Sequence, residues 1–373
     1  MGTYKGPVYI VGAGLAGLTA AINLAREGRE VVVLEKGKRV GGLAIYNPSP
    51  HGTPMDAAAM SRYIGIDLEP GMVRMDGGIL GVWGKRYKLK FPKNVQAWMI
   101  ERGPRQSSMD HYLYGLAVKE GVRVEFDQPI LSDKQIHDLP RGSIMATGLH
   151  ADGFEAANVP YQSLYGYFAK CRVPWPEARV SFYFDDYSPD YAFTCSVNGI
   201  AFALIFNRHR PVARWEMEKF AEQATLEDGY PFKRFFPLGG GAKGGVAGVP
   251  VLKLNNPRLF QGDMILAGTI AGMMDPLLFF GMHGAFASGK IAARAITDPA
   301  GAYEEFRRLN MTFYPLLMAK RLADRSHREI LMKYPMQLAM RFMPLLAPLV
   351  QRQLFKLNVS GYGRLGTEEG VRH

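Results

Sequence analysis

Residues 8–42 read VYIVGAGLAGLTAAINLAREGREVVVLEKGKRVGG, and the fold follows from them. Residues 8–11 have the composition of a short buried strand, residues 15–27 form a helix rich in Ala and Leu that stops at Gly28, and residues 31–34 are a second buried strand. Between strand and helix stands Gly12-Ala13-Gly14-Leu15-Ala16-Gly17, a complete G-x-G-x-x-G set. Gly12 permits a tight turn, Gly14 lets the backbone approach a pyrophosphate, and Gly17 lets helix and strand pack closely. The N–H groups this leaves open, together with the positive end of the helix, make an anion site. Glu35 ends the second strand about 20 residues further on, where an acid accepts from ribose hydroxyls. A negative charge there disfavours a 2′-phosphate. The stretch predicts a βαβ unit that holds an adenine dinucleotide. The bland alternative, a glycine turn that only joins strand to helix, does not account for the acid at position 35.

Outward from this unit, residues 71–91 alternate and are rich in aromatics, which predicts a β-hairpin region turning at Asp76-Gly77. Residues 109–119 have helical spacing, residues 122–126 read as a strand, and residues 143–148 (SIMATG) as a strand ending in a glycine turn. Past Pro160 the composition shifts to strand formers. Residues 180–184, 191–197 and 200–206 read as antiparallel strands, the last two joined by Asn198-Gly199, the strongest short hairpin signal. Six glycines around Lys243 at 239–248 lack the P-loop spacing and read as a loop. Residues 264–267 return to a strand and residues 282–296 to a helix of small residues. The expected fold class is α/β: a Rossmann-like FAD-binding domain built from 1–159 and 257–300, an antiparallel β-sheet substrate domain at 160–256, and a helical C-terminal region at 301–373.

The opening resembles the glutathione-reductase-like FAD superfamily, in which KGKRVGG (residues 36–42) follows the ribose-binding acid and a glycine pair passes beside the cofactor. This resemblance makes FAD the expected dinucleotide, with Lys36, Gly41, Gly42 and Leu43 at its edge. Arg105 matches the arginine that precedes a helix and lies along the flavin in p-hydroxybenzoate-hydroxylase-like flavoproteins. LAGTIAGMMDPLLFFGMHGAFASGKIAA, residues 266–293, is similar to the C-terminal flavin segment of the geranylgeranyl reductase family. Gly268, Gly272, Pro276, Gly281, Ala285, Ser288, Gly289 and Lys290 match, and the helix that opens after Gly281-Met282 would point its positive end at the flavin. Two positions depart from the pattern. Thr269 replaces the Asp that usually contacts the ribityl chain, and residues 191–197 replace an aromatic-rich Y-x-W-x-F-P-K stretch. Ala146-Thr147-Gly148 resembles the reductase version of the next motif, and the arginine of the monooxygenase fingerprint is missing from 146–158.

The resemblance implies an FAD-dependent oxidoreductase acting on a carbon–carbon double bond of an isoprenoid- or lipid-like substrate, with NAD(P)H binding transiently or ferredoxin as the electron donor. An FAD-dependent monooxygenase and a flavin-binding protein with non-redox or structural use of FAD are the alternatives. For direct catalysis the candidates are His283, at the start of the flavin-directed helix, and Cys195, in the sheet; each also reads as an ordinary core residue. The two cysteines, Cys171 and Cys195, form no CxxC, and no metal-ligand spacing occurs, so neither a metal site nor a disulfide framework is expected. The net charge of +11 is spread over 45 Lys and Arg without a basic stripe, which argues against nucleic acid. An anionic membrane surface suits it better, and the Met-rich, basic text from 303 to 355 reads as helices that either lie on such a surface or cap the FAD domain. No signal peptide is read at the start, and no window reaches the length of a membrane span, so the expectation is a cytoplasmic protein, either free or peripheral at the inner face of the membrane.

Overall fold

The computed structural model describes residues 6–42, 47–91, 96–188, 190–238, 246–250 (backbone only), 258–276, 278–311, 313, 317–318, 337–338 and 342. Its elements run β1 (Val8–Val11), α1 (Leu15–Arg26), β2 (Val31–Leu34), β3 (Ser49–Pro54), α2 (Ala57–Ile64), β4 (Met72–Arg74), β5 (Gly77–Val82), β6 (Lys85–Lys90), β7 (Ala97–Arg102), α3 (Met109–Lys119), β8 (Arg123–Glu125), α4 (Asp133–His137), β9 (Ile144–Met145) and α5 (Ala151–Ala156). After these come β10 (Tyr161–Arg172), β11 (Arg179–Phe184), β12 (Tyr191–Val197), β13 (Ile200–Asn207), α6 (Arg214–Asp228), β14 (Phe236–Pro237), β15 (Val246–Pro250), β16 (Phe260–Gln261), β17 (Met264–Leu266), α7 (Met282–Arg294) and α8 (Pro299–Met311).

Three sheets result. The first has the order β16-β17-β9-β1-β2-β8, and β17, β9, β1, β2 and β8 are parallel in it. Its strands are apolar on both faces because α1, α3 and α7 cover them. The second is an eight-stranded sheet, β14-β10-β13-β12-β11-β5-β6, with β15 also on β10. The third, β3-β7-β4, lies against it.

The period of two along β13 shows how the layers stack. Phe202, Leu204 and Phe206 enter a core shared with β7 through Ala97 and Met99. Ala201, Ala203 and Ile205 face the other way, onto Phe220 and Ala224 of α6. Every residue of β13 is therefore buried. Asn198 and Gly199 both take positive φ, 53° and 78°, as the predicted hairpin turn requires.

Two readings change. The hairpin at 77–90 turns at Trp83-Gly84, not at Asp76-Gly77. Gly77 is instead a strand residue, where a Cβ would stand 2.2 Å from the Leu89 carbonyl oxygen, while β4 leaves to pair with β7. The glycine-rich stretch ends in strand β15, paired with 161–165; residues 239–245, with Lys243, lie outside the described residues. The large sheet also takes β5 and β6 from ahead of Pro160, because β5 pairs in parallel with β11. Of the predicted C-terminal helices, α8 is described, and most of residues 312–373 lie outside the described set. No helix among the described residues is long and apolar enough to cross a membrane.

Gly17 shows how closely α1 crosses β1. A Cβ there would stand 2.0 Å from the Gly12 carbonyl oxygen, so Gly17→Val must push helix from sheet. Overpacking of this kind costs about 1–3 kcal/mol or more, and thermal denaturation should show a clear drop in melting temperature. An unchanged midpoint would contradict the packing described.

Candidate active site cavity

The parallel strands end together, and their C-terminal ends open onto a cavity of about 840 Å³. At its polar end Gly12 takes φ 103°, and a Cβ on it would lie 2.6 Å from the Ala146 carbonyl oxygen. Only a glycine lets the β1–α1 turn pass β9 so closely. The turn delivers Gly14, the N-cap of α1, which carries no side-chain cap. The first-turn amides and the positive end of the helix thus point into the cavity, lined there by Leu15 and Ala16.

Glu35, at the end of β2, is buried and accepts from Ala13 N–H at 2.8 Å and from Gly37 N–H at 2.7 Å. Burial pushes its carboxyl above the ordinary value, and these two amides pull it part of the way back. Across the opening, Lys36 Nζ pairs with Asp152 at 3.2 Å. Ala146, Thr147 and Gly148 form the wall after β9, and Thr147 Oγ1 is buried with no hydrogen-bond partner among the described residues.

The middle of the cavity is built by the β17–α7 segment. Gly268 N–H donates to Ser288 Oγ at 2.7 Å, and Ser288 Oγ donates to the Gly284 carbonyl at 2.6 Å, which ties the strand end to the helix. Thr269, Gly281, Met282 and Ala285 line this part. The N-cap of α7, Gly281, again carries no side-chain cap, so a second helix N-terminus opens onto the same cavity.

The far end is apolar. Phe168, Phe182, Tyr191, Phe193 and Phe206 come from the inner face of the large sheet, and Phe279 comes from the loop before α7. His51, on β3, stands at the edge of this half, its ring centroid 5.2 Å from that of Phe202 and 6.3 Å from that of Phe193. Ser49 Oγ lies 2.9 Å from His51 Nε2 and donates to Asn47 Oδ1 at 2.6 Å. Burial, aided by the positive charge of Arg102, pushes the imidazole down to about 3, so it is neutral at ordinary pH.

Of the residues predicted from sequence, Gly12, Gly14, Leu15, Ala16, Glu35, Lys36, Gly42, Ala146, Thr147, Gly148, Gly268, Thr269, Gly281 and Met282 are brought to one cavity wall. Gly17 and Gly41 act behind it: Gly41 is packed so tightly on Gly103 that a Cβ would sit 2.2 Å from its carbonyl carbon. Pro276 stands behind the wall in the loop before α7, and Leu43 lies outside the described residues.

Three of the candidates, Arg105, His283 and Cys195, are not on the cavity wall. Arg105 turns away, pairing with buried Glu101 at 3.2 Å and donating to the Asn198 carbonyl at 3.1 Å. Arg102 does line the wall, as Arg39 does, and it is held by a two-pronged bond to buried Asp110, both contacts at 2.8 Å. His283 is fully buried beside Phe313, with ring centroids 5.8 Å apart, and burial pushes it down to about 3. Cys195 is buried and donates to the Pro50 carbonyl at 3.0 Å, its thiol pushed up by burial. The sequence reading missed Arg102 and His51. Arg102 could have been found as the charged end of an otherwise buried strand, AWMIER; nothing local marks His51.

Residues 10–60 match the NAD(P)-binding Rossmann-like domain family. Among curated proteins, flavin-containing monooxygenase FMO GS-OX2 of Arabidopsis thaliana is 56% identical over 48 residues, which is 13% of this chain and 10% of that protein. FMO GS-OX4 of the same plant is 58% identical over 41 residues, 11% and 9% of the two chains. The match spans about a tenth of the length of these relatives.

Solved structures match far more of the chain. A geranylgeranyl bacteriochlorophyll reductase-like protein from Thermoplasma acidophilum is 18% identical with a TM-score of 0.56, covering 85% of this chain and 84% of that one. The p-nitrophenol 4-monooxygenase PnpA of Pseudomonas putida DLL-E4 is 14% identical with a TM-score of 0.62, covering 96% and 99%. CtdE, solved in complex with FAD and a substrate, is 14% identical with a TM-score of 0.55, covering 86% and 88%. At such identities the likeness is one of fold: this chain has the architecture of these oxidoreductase structures, with a Rossmann-like unit joined to an antiparallel sheet.

Two expected outcomes follow from the geometry. Because burial raises the Glu35 carboxyl above 4.5, acidification should remove its charge earlier than for an exposed glutamate. FAD affinity, titrated by flavin fluorescence, should fall as pH drops from neutral towards about 5. Glu35→Gln should weaken binding roughly tenfold at neutral pH and flatten that slope; an equally steep slope in the variant would exclude Glu35 as its source. His283→Asn should leave the pH profile of turnover unchanged across the neutral range, since the ring is already neutral there.

Proposed function

We propose that this chain is an FAD-dependent oxidoreductase that transfers hydride to or from a carbon–carbon double bond of a hydrophobic, isoprenoid- or lipid-like substrate. One observation carries the reading: a single cavity joins an uncapped helix N-terminus and a buried carboxylate, Glu35, at one end to an aromatic, uncharged sheet face at the other, with a second uncapped helix N-terminus between them. FAD when bound would supply the two-electron chemistry. The chain's residues fit it at several independent points. The first-turn amides of α1 face where a diphosphate would lie, Glu35 would accept from ribose hydroxyls, and Thr147, whose hydroxyl is buried without a partner among the described residues, stands on the same wall. Arg102 adds positive charge beside Gly14, its Nη2 being 4.0 Å from where a Cβ of that glycine would stand.

The second helix, α7, directs positive potential towards the junction of the two halves and would stabilise negative charge developing there. The aromatic wall excludes water from the reacting end. Neutral His51, fixed by Ser49, can exchange a hydrogen bond with a substrate without adding charge to an apolar site. NAD(P)H binding transiently, or ferredoxin, would deliver the electrons. A positively charged surface would bring the enzyme to an anionic membrane where such substrates partition.

Monooxygenation is the second reading. It is favoured by PnpA, whose whole chain superposes on this one, and by the short matches to flavin-containing monooxygenases. The test is anaerobic. The reduced protein should regain its flavin absorbance when an unsaturated isoprenoid such as geranylgeraniol is added, with a product two hydrogens heavier. No reoxidation by any unsaturated lipid would defeat the reductase reading, and substrate-stimulated consumption of NADPH and oxygen would establish the other.

A further inference from the structure

Among the described residues, five non-glycines take φ in the left-handed region: Trp83 (44°), Asp127 (56°), Asn158 (50°), Asn198 (53°) and Phe279 (59°). Asn and Asp tolerate this geometry through their short polar side chains, and Trp83 stands beside Gly84 in the β5–β6 turn. Phe279 has neither reason, and of the five it alone lines the cavity. A bulky residue stays in this region only where its surroundings over-determine it, and such residues gather at ligand clamps.

The surroundings can be named. Phe279 N–H donates to the Asp275 carbonyl at 3.0 Å, Asp275 N–H donates to the Phe280 carbonyl at 3.0 Å, and Leu278 N–H donates to Asp275 Oδ1 at 3.3 Å. From the large sheet, the Tyr191 hydroxyl donates to the Leu278 carbonyl. The ring then meets Phe206 edge-on, with centroids 5.6 Å apart and planes at 88°. The Arg208 guanidinium, locked to Asp190 in a buried ion pair, lies 5.5 Å from its centroid. Two residues on, Gly281 opens α7. The ring is fixed where the apolar half meets the helix N-terminus.

A ring held on several sides keeps its place when a ligand arrives, and the rings around it favour a flat π-system over a thicker saturated one. We propose that Phe279 is a specificity-determining residue: it admits flat unsaturated groups, aromatic rings or conjugated chains, to the part of the cavity beside α7 and turns away saturated groups of equal carbon number. This rests on the cavity being the substrate site and narrows the substrate class proposed for it.

The test uses the full chain as purified and two probes of ten carbons, flat naphthalene and thick decalin, with affinities read by calorimetry so that neither flavin nor turnover is needed. The wild type should prefer naphthalene by about three- to tenfold. F279G keeps the backbone geometry without strain and should bring the ratio towards one. F279N, which also tolerates positive φ, should do the same, and F279Y, which keeps the ring, should retain the preference. F279Y should melt near the wild-type temperature, and F279G and F279N below it, as the ring's contacts are lost. A ratio unmoved in F279G and F279N overturns the proposal. Flavin content measured alongside separates the two readings: a colourless protein whose ratio still shifts refutes the FAD assignment alone, and a yellow one whose ratio is fixed refutes the role of Phe279 alone.

Discussion

The close pass of Gly12 over the Ala146 carbonyl is the constraint on which the rest of the site depends. It fixes where α1 begins relative to the ends of β1 and β9, and no side chain fits between the two backbones. Once α1 is so placed, Ala13 N–H reaches Glu35 at 2.8 Å and the uncapped first turn faces outwards over the strand ends. Parallel strands gather their C-terminal ends on one side of the sheet, and the crevice there is where doubly wound folds bind ligands. The cavity is therefore a consequence of topology, with its polarity set by a handful of backbone amides.

Charge is divided sharply along that cavity. Glu35, Lys36, Arg102 and the α1 N-terminus occupy the polar end and the α7 N-terminus the middle, while the sheet end offers aromatic rings and a histidine that burial keeps neutral. The division has a physical basis. An ion moved into the aromatic half would lose its hydration without gaining a partner, whereas at the other end amides and counter-charges compensate each ion. A ligand that is charged at one end and apolar at the other meets complementary surroundings along its whole length.

Much of this was legible in local sequence, because the βαβ opening, α3, and the β12–β13 hairpin rest on short-range rules of periodicity and turn chemistry. The glycine set and Glu35 were readable for the same reason: their roles depend on backbone geometry within one supersecondary unit. Arg105 misled because two arginines stand three residues apart, and the one chosen by resemblance is drawn off by Glu101, four residues before it, and by the Asn198 carbonyl, a partner that only the tertiary packing supplies. The Asp76-Gly77 signal failed similarly, since Gly77 serves a close cross-strand approach to β6 and not a turn.

Cys195 and His51 show most clearly where local reasoning stops. The period of two in β12 correctly puts Cys195 on the same inner face as Tyr191 and Phe193, which line the cavity. Yet that face is only partly open, because the small sheet of β3, β7 and β4 lies across it, and Cys195 falls beneath the cover with its thiol against Pro50. His51, one residue further along the covering strand, reaches the rim where the cover ends and so meets the cavity. Which part of a face is roofed and which is left open depends on where β3 crosses β12 and β13, a contact spanning about 140 residues of chain that no window of sequence contains. Which side chains reach the cavity in such a fold is thus decided by the edge of a covering layer, and residue type alone does not tell them apart.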